Sequence, residues 1–204
     1  MKAKQPGFTL VELMFVLTVA AILLSIGIPG FRDFVRNSRM TTAANDLLAD
    51  YNLARSEAVK RRVPVTLCKS DDGAACDDDP DTAFVGWIVF VDDADPTAAA
   101  ATDGDGAVDA GEDILRGREL PDTIDVSADG VVTTFLPSGF PDDTPGPVAT
   151  PLAPLIEVVL CDARGNVVSA GGVSAARGMR ISATGRPTLS RDVDYIDDVL
   201  GGCP

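Results

Sequence analysis

The chain has 204 residues, 46% of them hydrophobic, which is enough to bury one core. Its formal net charge of −14 disfavours nucleic acid or anionic lipid as a partner of the surface as a whole. Histidine is absent, which excludes Ser/His/Asp and Cys/His nucleophile systems, His-ligated zinc and His acid/base catalysis. We therefore expect no enzyme, and residues 172–176, a near match to a nucleophile elbow, are predicted to be an ordinary loop.

The first element in chain order is an apolar stretch over residues 8–28, with Glu12 as its single charge. As a helix it would be about 30 Å long, enough to cross a bilayer. A secretory signal peptide has a shorter apolar region, followed by a small-residue cleavage site and a polar chain. Here Pro29-Gly30 leads directly into an amphipathic pattern, so the stretch is predicted to be a permanent membrane anchor.

Glu12 is predicted to be functional, because an unpaired carboxylate in an apolar span is costly. Cleavage between Gly7 and Phe8 would give Phe8 a new α-amino group. The same group on a neighbouring subunit could pair with Glu12 in a medium of low dielectric constant. Such a pair would set the axial register between subunits.

An amphipathic helix is predicted over residues 31–62. Apolar residues recur at steps of mostly three and four, and the pattern ends before Val63-Pro64. Pro29, between two glycines, is predicted to kink or loosen the long helix.

Beyond residue 63 the apolar period changes to two, which indicates strands. The predicted strands cover residues 65–68, 85–91, 114–120, 124–127, 131–136, 155–161, 166–169, 180–183 and 187–190. Surface loops are predicted at 71–81, 92–102 and 141–154, the last of them Pro-rich and mobile. The fold class is therefore α+β, a long N-terminal helix packed against a β-rich head of two packed sheets or one curled sheet.

Four cysteines lie beyond the anchor, at Cys68, Cys76, Cys161 and Cys203. They have no CxxC spacing and no histidine partners, so disulfides in an oxidising periplasm explain them better than zinc does. Four cysteines allow three pairings. We favour Cys68–Cys76, which closes a short acidic loop, together with Cys161–Cys203. This placement puts the head on the periplasmic side of the membrane.

An acidic segment partly matches a calcium-binding loop. The matching oxygen ligands are Asp103, Asp105, Asp109 and Glu112, and Gly106 would permit the sharp turn. Ala101 occupies the first ligand position, which calcium loops fill with Asp. A solvated acidic turn is the favoured interpretation and a calcium site the alternative. No cofactor is otherwise expected.

Between residues 163 and 191 the sequence contains five arginines and no acidic residue. They are Arg164, Arg177, Arg180, Arg186 and Arg191. The favoured interpretation is a basic surface that docks an acidic neighbouring subunit, or solvated strand ends. The alternative is contact with DNA phosphates through Arg177, Arg180 and Arg186.

The segment Gly7-Phe8-Thr9-Leu10-Val11-Glu12 resembles the prepilin cleavage and N-methylation signature of the type IV pilin-like family. The resemblance implies that a prepilin peptidase cuts after Gly7 and methylates the amino group of Phe8. It also implies a leader over residues 1–7, a membrane-spanning or filament-core helix over 8–30, an amphipathic helix over 31–62 and a periplasmic head over 63–204.

Further segments resemble one branch of that family, the FimT/FimU minor pilins and the H-type pseudopilin GspH of type II secretion. They are residues 45–58, 64–68, 86–92 and the late Gly185-Arg186. The resemblance implies an inner-membrane subunit, with its head in the periplasm, that helps to initiate or cap a type IV pilus or a secretion pseudopilus. Its partners would be other major and minor pilins or pseudopilins.

The same branch also supplies the alternative function, a DNA-binding minor pilin for DNA uptake. Some FimT-like members bind DNA through a C-terminal Gly-Arg-x-Arg motif. Here Gly185-Arg186 is followed by Thr188 where the motif has its second arginine. We therefore expect weak DNA binding or none.

Overall fold

The computed structural model describes residues 7, 9–79, 82–92, 106–109, 111–142, 154–169, 171–198 and 200–203. The chain forms two compact units, residues 1–39 and residues 40–204. Parts of the predicted loops at 71–81, 92–102 and 141–154 lie outside the described residues.

The main helix, α1, covers Leu10–Arg61 without interruption and includes Pro29. Thr9 caps its N-terminus, since its hydroxyl accepts a hydrogen bond from the Glu12 N–H at 3.3 Å. The helix ends where Arg62 adopts a left-handed conformation, with φ of 64°, and donates its N–H to the Ala58 carbonyl at 2.9 Å. Val63-Pro64 then prevents continuation. The predicted end of the helix is confirmed.

In the first unit, α1 exposes large apolar side chains on every side. Among the described residues it is the one helix long and apolar enough to cross a membrane, with a mean hydropathy of 2.5 over its most apolar window. A helix that is apolar all round and buries nothing inside its own chain needs a nonaqueous environment.

In the second unit, one face of α1 is buried. Its apolar members recur at steps of three and four, which places them on a single stripe. They are Met40, Ala43, Ala44, Leu47, Tyr51, Ala54 and Ala58. The small alanines allow the sheets to approach the helix closely.

Within the described residues, ten strands follow α1. They are β1 Val65–Lys69, β2 Gly86–Val91, β3 Ile114–Glu119, β4 Asp125–Ala128, β5 Val132–Phe135, β6 Glu157–Cys161, β7 Val168–Ser169, β8 Val173–Ser174, β9 Arg177–Ile181 and β10 Pro187–Ser190. A short helix, α2, covers Val193–Asp198.

The strands form two four-stranded sheets and a two-stranded ribbon. The first sheet has the order β3-β2-β1-β5 and the second the order β10-β9-β6-β4, while β7 pairs with β8. All these pairings are antiparallel. The α+β fold, with a long helix packed against a β-rich head, is confirmed.

A single core joins α1 to both sheets. The first sheet contributes Trp87 and Phe135 to this core, and the second sheet contributes Leu160 and Met179. The opposite faces of the sheets are covered as well. Cys68 and Phe90 belong to a cluster on the first sheet, and Val159 and Ile196 belong to a cluster on the second.

The sequence analysis missed two elements near the C-terminus. Residues 172–176, predicted to be a loop, contain β8, which is only two residues long and therefore carries no readable alternation. Helix α2 was not predicted, because six residues are too few for a helical period. Gly178 makes room for this C-terminal segment, since a Cβ there would lie 2.3 Å from Leu200 Cδ1.

Both favoured disulfides are present, Cys68–Cys76 and Cys161–Cys203. Among the described residues no cysteine is free. Cys68–Cys76 fastens the acidic loop over the outer face of the first sheet. Cys161–Cys203 holds the C-terminal segment on the outer face of the second sheet.

The two disulfides should differ in their contribution to stability, because the loops they close differ in length. The sequence separations are 8 and 42 residues. Chain entropy gives about 2.5 kcal/mol for the shorter loop and about 4 kcal/mol for the longer one. Urea unfolding of the Cys68→Ser/Cys76→Ser and Cys161→Ser/Cys203→Ser double variants should show the larger loss in the second. The reverse order would contradict the chain-entropy account.

Candidate functional site: the N-terminal helix and its attachment to the head

The cleavage motif lies immediately before the first turn of α1. Gly7 is exposed, while Phe8 lies outside the described residues. A protease can reach an exposed glycine that precedes a helix, because the backbone there is not fixed in helical hydrogen bonds.

Glu12 is exposed in the first turn of α1, at the third helical position. With Thr9 as N-cap, the spacing T-x-x-E matches a capping box. The sequence analysis did not identify this box, although the spacing was readable. The carboxylate also lies near the positive end of the helix dipole. Glu12 can therefore stabilise the N-terminus of its own helix, in addition to any contact that it makes between subunits.

In the second unit, Asp50 of α1 attaches the helix to the strands of the head through its carboxylate. Asp50 is fully buried. Its Oδ2 accepts hydrogen bonds from Trp87 Nε1 at 2.9 Å and Arg118 Nε at 2.8 Å, and its Oδ1 accepts one from Arg116 Nη1 at 3.0 Å. Arg118 also pairs with Asp46 at 3.2 Å, one turn earlier on the helix.

The strand register brings these donors together. Arg116 and Arg118 are two residues apart on β3, so their side chains project from the same face. Trp87 on β2 is the register partner of Arg118. Side chains that project toward α1 from two adjacent strands therefore converge on one carboxylate. A buried charge with three donors, two of them cationic, is fully compensated.

Two further polar contacts fix the same face of α1. Tyr51, next to Asp50, donates its hydroxyl to the Leu155 carbonyl at 3.0 Å. The same carbonyl accepts a hydrogen bond from Thr133 Oγ1. Burial raises the pKa of Tyr51 well above its ordinary value, so the hydroxyl remains a neutral donor. On the next turn of α1, Arg55 donates to the Gly139 carbonyl at 2.9 Å.

A buried lysine organises the acidic disulfide loop. Lys69 is 2% exposed. Its ammonium group donates to the carbonyl oxygens of Asp79 and Thr82 and pairs with Asp77 at 3.3 Å. These acceptors satisfy the charge, so Lys69 is a structural residue of this loop.

The five arginines of residues 163–191 do not form one free basic surface. Arg177 is 4% exposed and donates to the carbonyls of Ser174, Ala175 and Ala176. Burial, followed by the charges of Arg191 and Arg164, lowers its pKa to about 10, so it remains protonated at neutral pH. The guanidinium is enclosed by its own chain, which argues against the predicted contact of Arg177 with DNA.

The remaining arginines differ in how far they are engaged. Arg164 forms a close pair with Asp162, Arg180 pairs with Glu157 at 3.1 Å, and Arg191 donates to the Ser174 carbonyl. Arg186 is exposed and has no ion pair with any described residue. Three of the five side chains thus have acidic or carbonyl partners at the surface.

Gly185, the other half of the Gly-Arg motif, has a packing role. Its φ is +73°, and a Cβ there would lie 2.8 Å from the Gly139 carbonyl oxygen. The turn between β9 and β10 therefore packs tightly on the loop that also contacts Arg55. A larger residue would disrupt this contact irrespective of any ligand.

The proposed calcium ligands Asp103 and Asp105 lie outside the described residues. In the part that is described, the Asp109 N–H donates to Glu112 Oε2 at 2.8 Å, which closes a local turn. Asp92 is buried and accepts a hydrogen bond from the Gly106 N–H at 3.0 Å. Within the described ranges no group of three or more acidic or cysteine side chains is placed to hold a metal.

An apolar membrane-compatible helix that begins at a leader-type motif and continues along an antiparallel β head defines the type IV pilin-like class. The family model for the prokaryotic N-terminal methylation motif matches residues 2–28. The family model described as type II transport protein GspH matches residues 43–185. The chain belongs to the GspH family.

Individual relatives are similar over shorter segments. The chain is 38% identical over 76 residues to prepilin peptidase-dependent protein D of Escherichia coli (strain K12), covering 36% of this chain and 44% of that protein. It is 31% identical over 87 residues to type IV major fimbrial protein FimA of Dichelobacter nodosus, covering 43% and 44%. The chain thus spans less than half the length of these curated relatives.

Among solved structures, the chain is similar to the type IV minor pilin FimU of Pseudomonas aeruginosa (strain PAO1). The TM-score is 0.45 at 20% identity, and the match covers 77% of this chain and 92% of that one.

Replacing Asp50 should weaken the head far more than replacing its neighbour Asp46. Asp50→Asn leaves Arg116 and Arg118 without their buried counter-charge and should cost about 3 kcal/mol. Asp46→Asn removes a partly exposed pair and should cost less than about 1 kcal/mol. Urea unfolding of the full chain in detergent can follow Trp87, the single tryptophan. Equal losses in the two variants would contradict the assigned role of Asp50.

Proposed function

We propose that this chain is a structural subunit that helps to initiate or cap a type IV pilus or type II secretion pseudopilus. The observation that carries the proposal is Glu12, a carboxylate in the first turn of a helix whose N-terminal part, within the first unit, is apolar and exposed all round. Such a helix is suited first to a membrane and then to a bundle of similar helices. Membership of the GspH family supports a minor rather than a major subunit.

The proposed location is the bacterial inner membrane, with the head in the periplasm. Two disulfides support an oxidising compartment for the head. A single membrane-compatible helix among the described residues fits a single-pass anchor. On assembly the same helix would leave the lipid and enter the filament.

Maturation would proceed by cleavage after Gly7 and N-methylation of Phe8 by a prepilin peptidase. The match to the N-terminal methylation motif supports this step. Cleavage would leave Thr9, the N-cap of α1, as the second residue of the mature chain. The new amino group would then lie next to the helix start.

The partners of the mature chain would be other pilins or pseudopilins. The amino group of a neighbouring Phe8 would pair with Glu12, a contact strengthened by the low dielectric constant of an apolar bundle. Because each subunit carries one donor and one acceptor at a fixed spacing, the pair would specify axial register. This role needs no cofactor and no catalytic group.

Replacing Glu12 separates the capping role from the charge-pairing role. Glu12→Gln keeps a side chain suited to the capping box and removes the charge, whereas Glu12→Ala removes both. If the charge sets register, both variants should be cleaved normally and should be depleted at least about tenfold from filaments. Quantitative mass spectrometry of sheared filaments measures this. Wild-type incorporation of Glu12→Gln would contradict the pairing proposal.

Replacing Gly7 tests the cleavage site. Gly7→Leu should leave the leader attached, since a bulky side chain would stand before the scissile bond, while Gly7→Ala serves as the small-residue control. Intact-mass analysis distinguishes the uncut chain from the mature chain with its added methyl group. A normal mature mass for Gly7→Leu would move the cleavage site elsewhere.

A further inference from the structure

We infer that the outer edge of β3 is a docking site for an extended, carboxylate-bearing segment of a different subunit, which pairs with β3 as an additional antiparallel strand. The inference rests on the proposed function, since it concerns how the head meets another subunit of the filament. The site lies wholly within the second unit. Strand β3 is an edge strand of the first sheet, whose order is β3-β2-β1-β5. An edge strand presents backbone N–H and C=O groups with which an incoming strand can pair.

The direction of the backbone bonds shows which groups of β3 face outward. Leu120, directly after β3, donates its N–H to the Val85 carbonyl at 2.8 Å, on the side of β2. Backbone groups of successive residues in a strand point to alternate sides, so those of Gly117 and Glu119 point away from β2. This half of β3 is in continuous register with β2. No described residue forms a backbone hydrogen bond with the outward groups of Gly117 and Glu119.

The other edges of the two four-stranded sheets are blocked. The outer side of β5 already carries isolated bridges to Pro154 and Pro141. Strand β10 begins with Pro187, which has no N–H to donate. The outer side of β4 is covered by the 82–84 segment, across a cavity of only about 110 Å³ that Val126 lines. Among the described residues, the edge of β3 is therefore the one to which a further strand has access.

Charged side chains often protect an edge strand, but those of β3 leave the edge accessible. Arg116 and Arg118 project toward α1, where they pair with Asp50 and Asp46. Between them lies Gly117, which is exposed and adds no side chain beside the edge. A glycine in a strand is typical of a position that another backbone approaches closely.

The same charges exclude a second copy of this chain as the occupant. Antiparallel pairing of two β3 edges places outward-facing residues opposite each other. If Gly117 lies opposite Gly117, Arg116 of each copy lies opposite Arg118 of the other. If Gly117 lies opposite Glu119, the two Arg118 residues lie opposite each other, and if Glu119 lies opposite Glu119, two carboxylates meet. Each of these registers contains like charges directly opposite one another, which destabilise a strand pair.

The occupant that fits this edge carries a carboxylate opposite Arg118. Its side chain would project from the same face of the sheet as Arg116, which is 43% exposed. The Nη1 group of Arg116 is bound to Asp50, and the guanidinium has further N–H groups for a second acceptor. The adjacent partner residue, opposite Glu119, must be neutral or basic to avoid repulsion. These requirements define an extended segment in which an acidic residue is flanked by a neutral or basic one.

Photo-crosslinking in intact cells that assemble filaments tests the docking site. A benzoylphenylalanine in place of Gly117 or of Glu119 lies beside the edge, and one in place of Thr184, exposed on the turn between β9 and β10, is the control. We expect both edge positions, but not position 184, to crosslink to one segment of another subunit. The crosslinked partner residues should be two apart, as on one face of a strand, rather than three or four apart, as on a helix.

A proline substitution separates the backbone contact from the side-chain contact. Glu119→Pro removes an N–H that faces away from β2 and so leaves the ladder between β2 and β3 intact, whereas Glu119→Ala removes only the carboxylate. With the crosslinker at position 117, Glu119→Pro should lower the yield about tenfold. Glu119→Ala should lower it by less than about fivefold. Replacing the partner's acid opposite Arg118 with Lys should also lower the yield about tenfold.

Filament incorporation and Trp87 fluorescence are measured for every variant of this chain. If Glu119→Pro alters the fluorescence, the substitution in the partner decides, because it leaves this chain unchanged. Crosslinks to a second copy, to lipid or at helical spacing, no crosslinks at the edge, or a yield insensitive to the deciding substitution would overturn the docking site while the chain still enters filaments. A wild-type chain that never enters filaments would overturn the proposed function, and the docking site with it.

Discussion

The packing of the head on α1 depends on the hydrogen bonds and ion pairs of the Asp50 carboxylate. It is fully buried on the apolar stripe of α1 and joins that helix to Trp87, Arg116 and Arg118 of two adjacent strands. An apolar interface alone tolerates sliding and rotation, because hydrophobic contacts are non-directional. A charge with three directed donors admits one arrangement. The alanines near Asp50 on α1 allow the sheets to approach the helix closely, and the carboxylate fixes the position of the strands along the helix.

The rest of the head is arranged around this contact. Tyr51 and Arg55 extend the polar attachment along the same helix, to the Leu155 and Gly139 carbonyls. The outer faces of the sheets are covered by segments that the disulfides hold in place. The apolar clusters under these segments include no residue of α1. The Asp50 carboxylate thus fixes the contact between α1 and the sheets, and the two disulfides fix the segments that cover the outer faces of the sheets.

Much of this arrangement could be predicted from the sequence where a period or a motif was long enough. The helical period over residues 31–62, the alternation in β1 and the apolar runs in β2 and β6 located the helix and the sheets. Loop closure around Cys68 and Cys76 favoured the observed disulfide pairing. Helix α2 and β8 were too short to carry a period. Asp50 was missed because the pattern analysis considered only apolar positions on the stripe, although an acid between Leu47 and Tyr51 was a readable signal.

The arginine segment shows where sequence reasoning fails for a physical reason. Net charge over residues 163–191 suggested a basic surface, but exposure, not composition, determines what a guanidinium can contact. Arg177 is enclosed by carbonyl groups of its own chain, and Arg180 pairs with Glu157, which is remote in sequence. Only the fold brings Glu157 next to Arg180.

The central claim is that this chain leaves the membrane as part of a filament. Cryo-electron tomography of filaments assembled with a chain that carries a compact electron-dense label at Thr123 tests it most directly, since that residue is exposed on the head. The account predicts label at filament ends, at one or a few copies per filament. Label confined to the inner membrane while filaments assemble normally would contradict it.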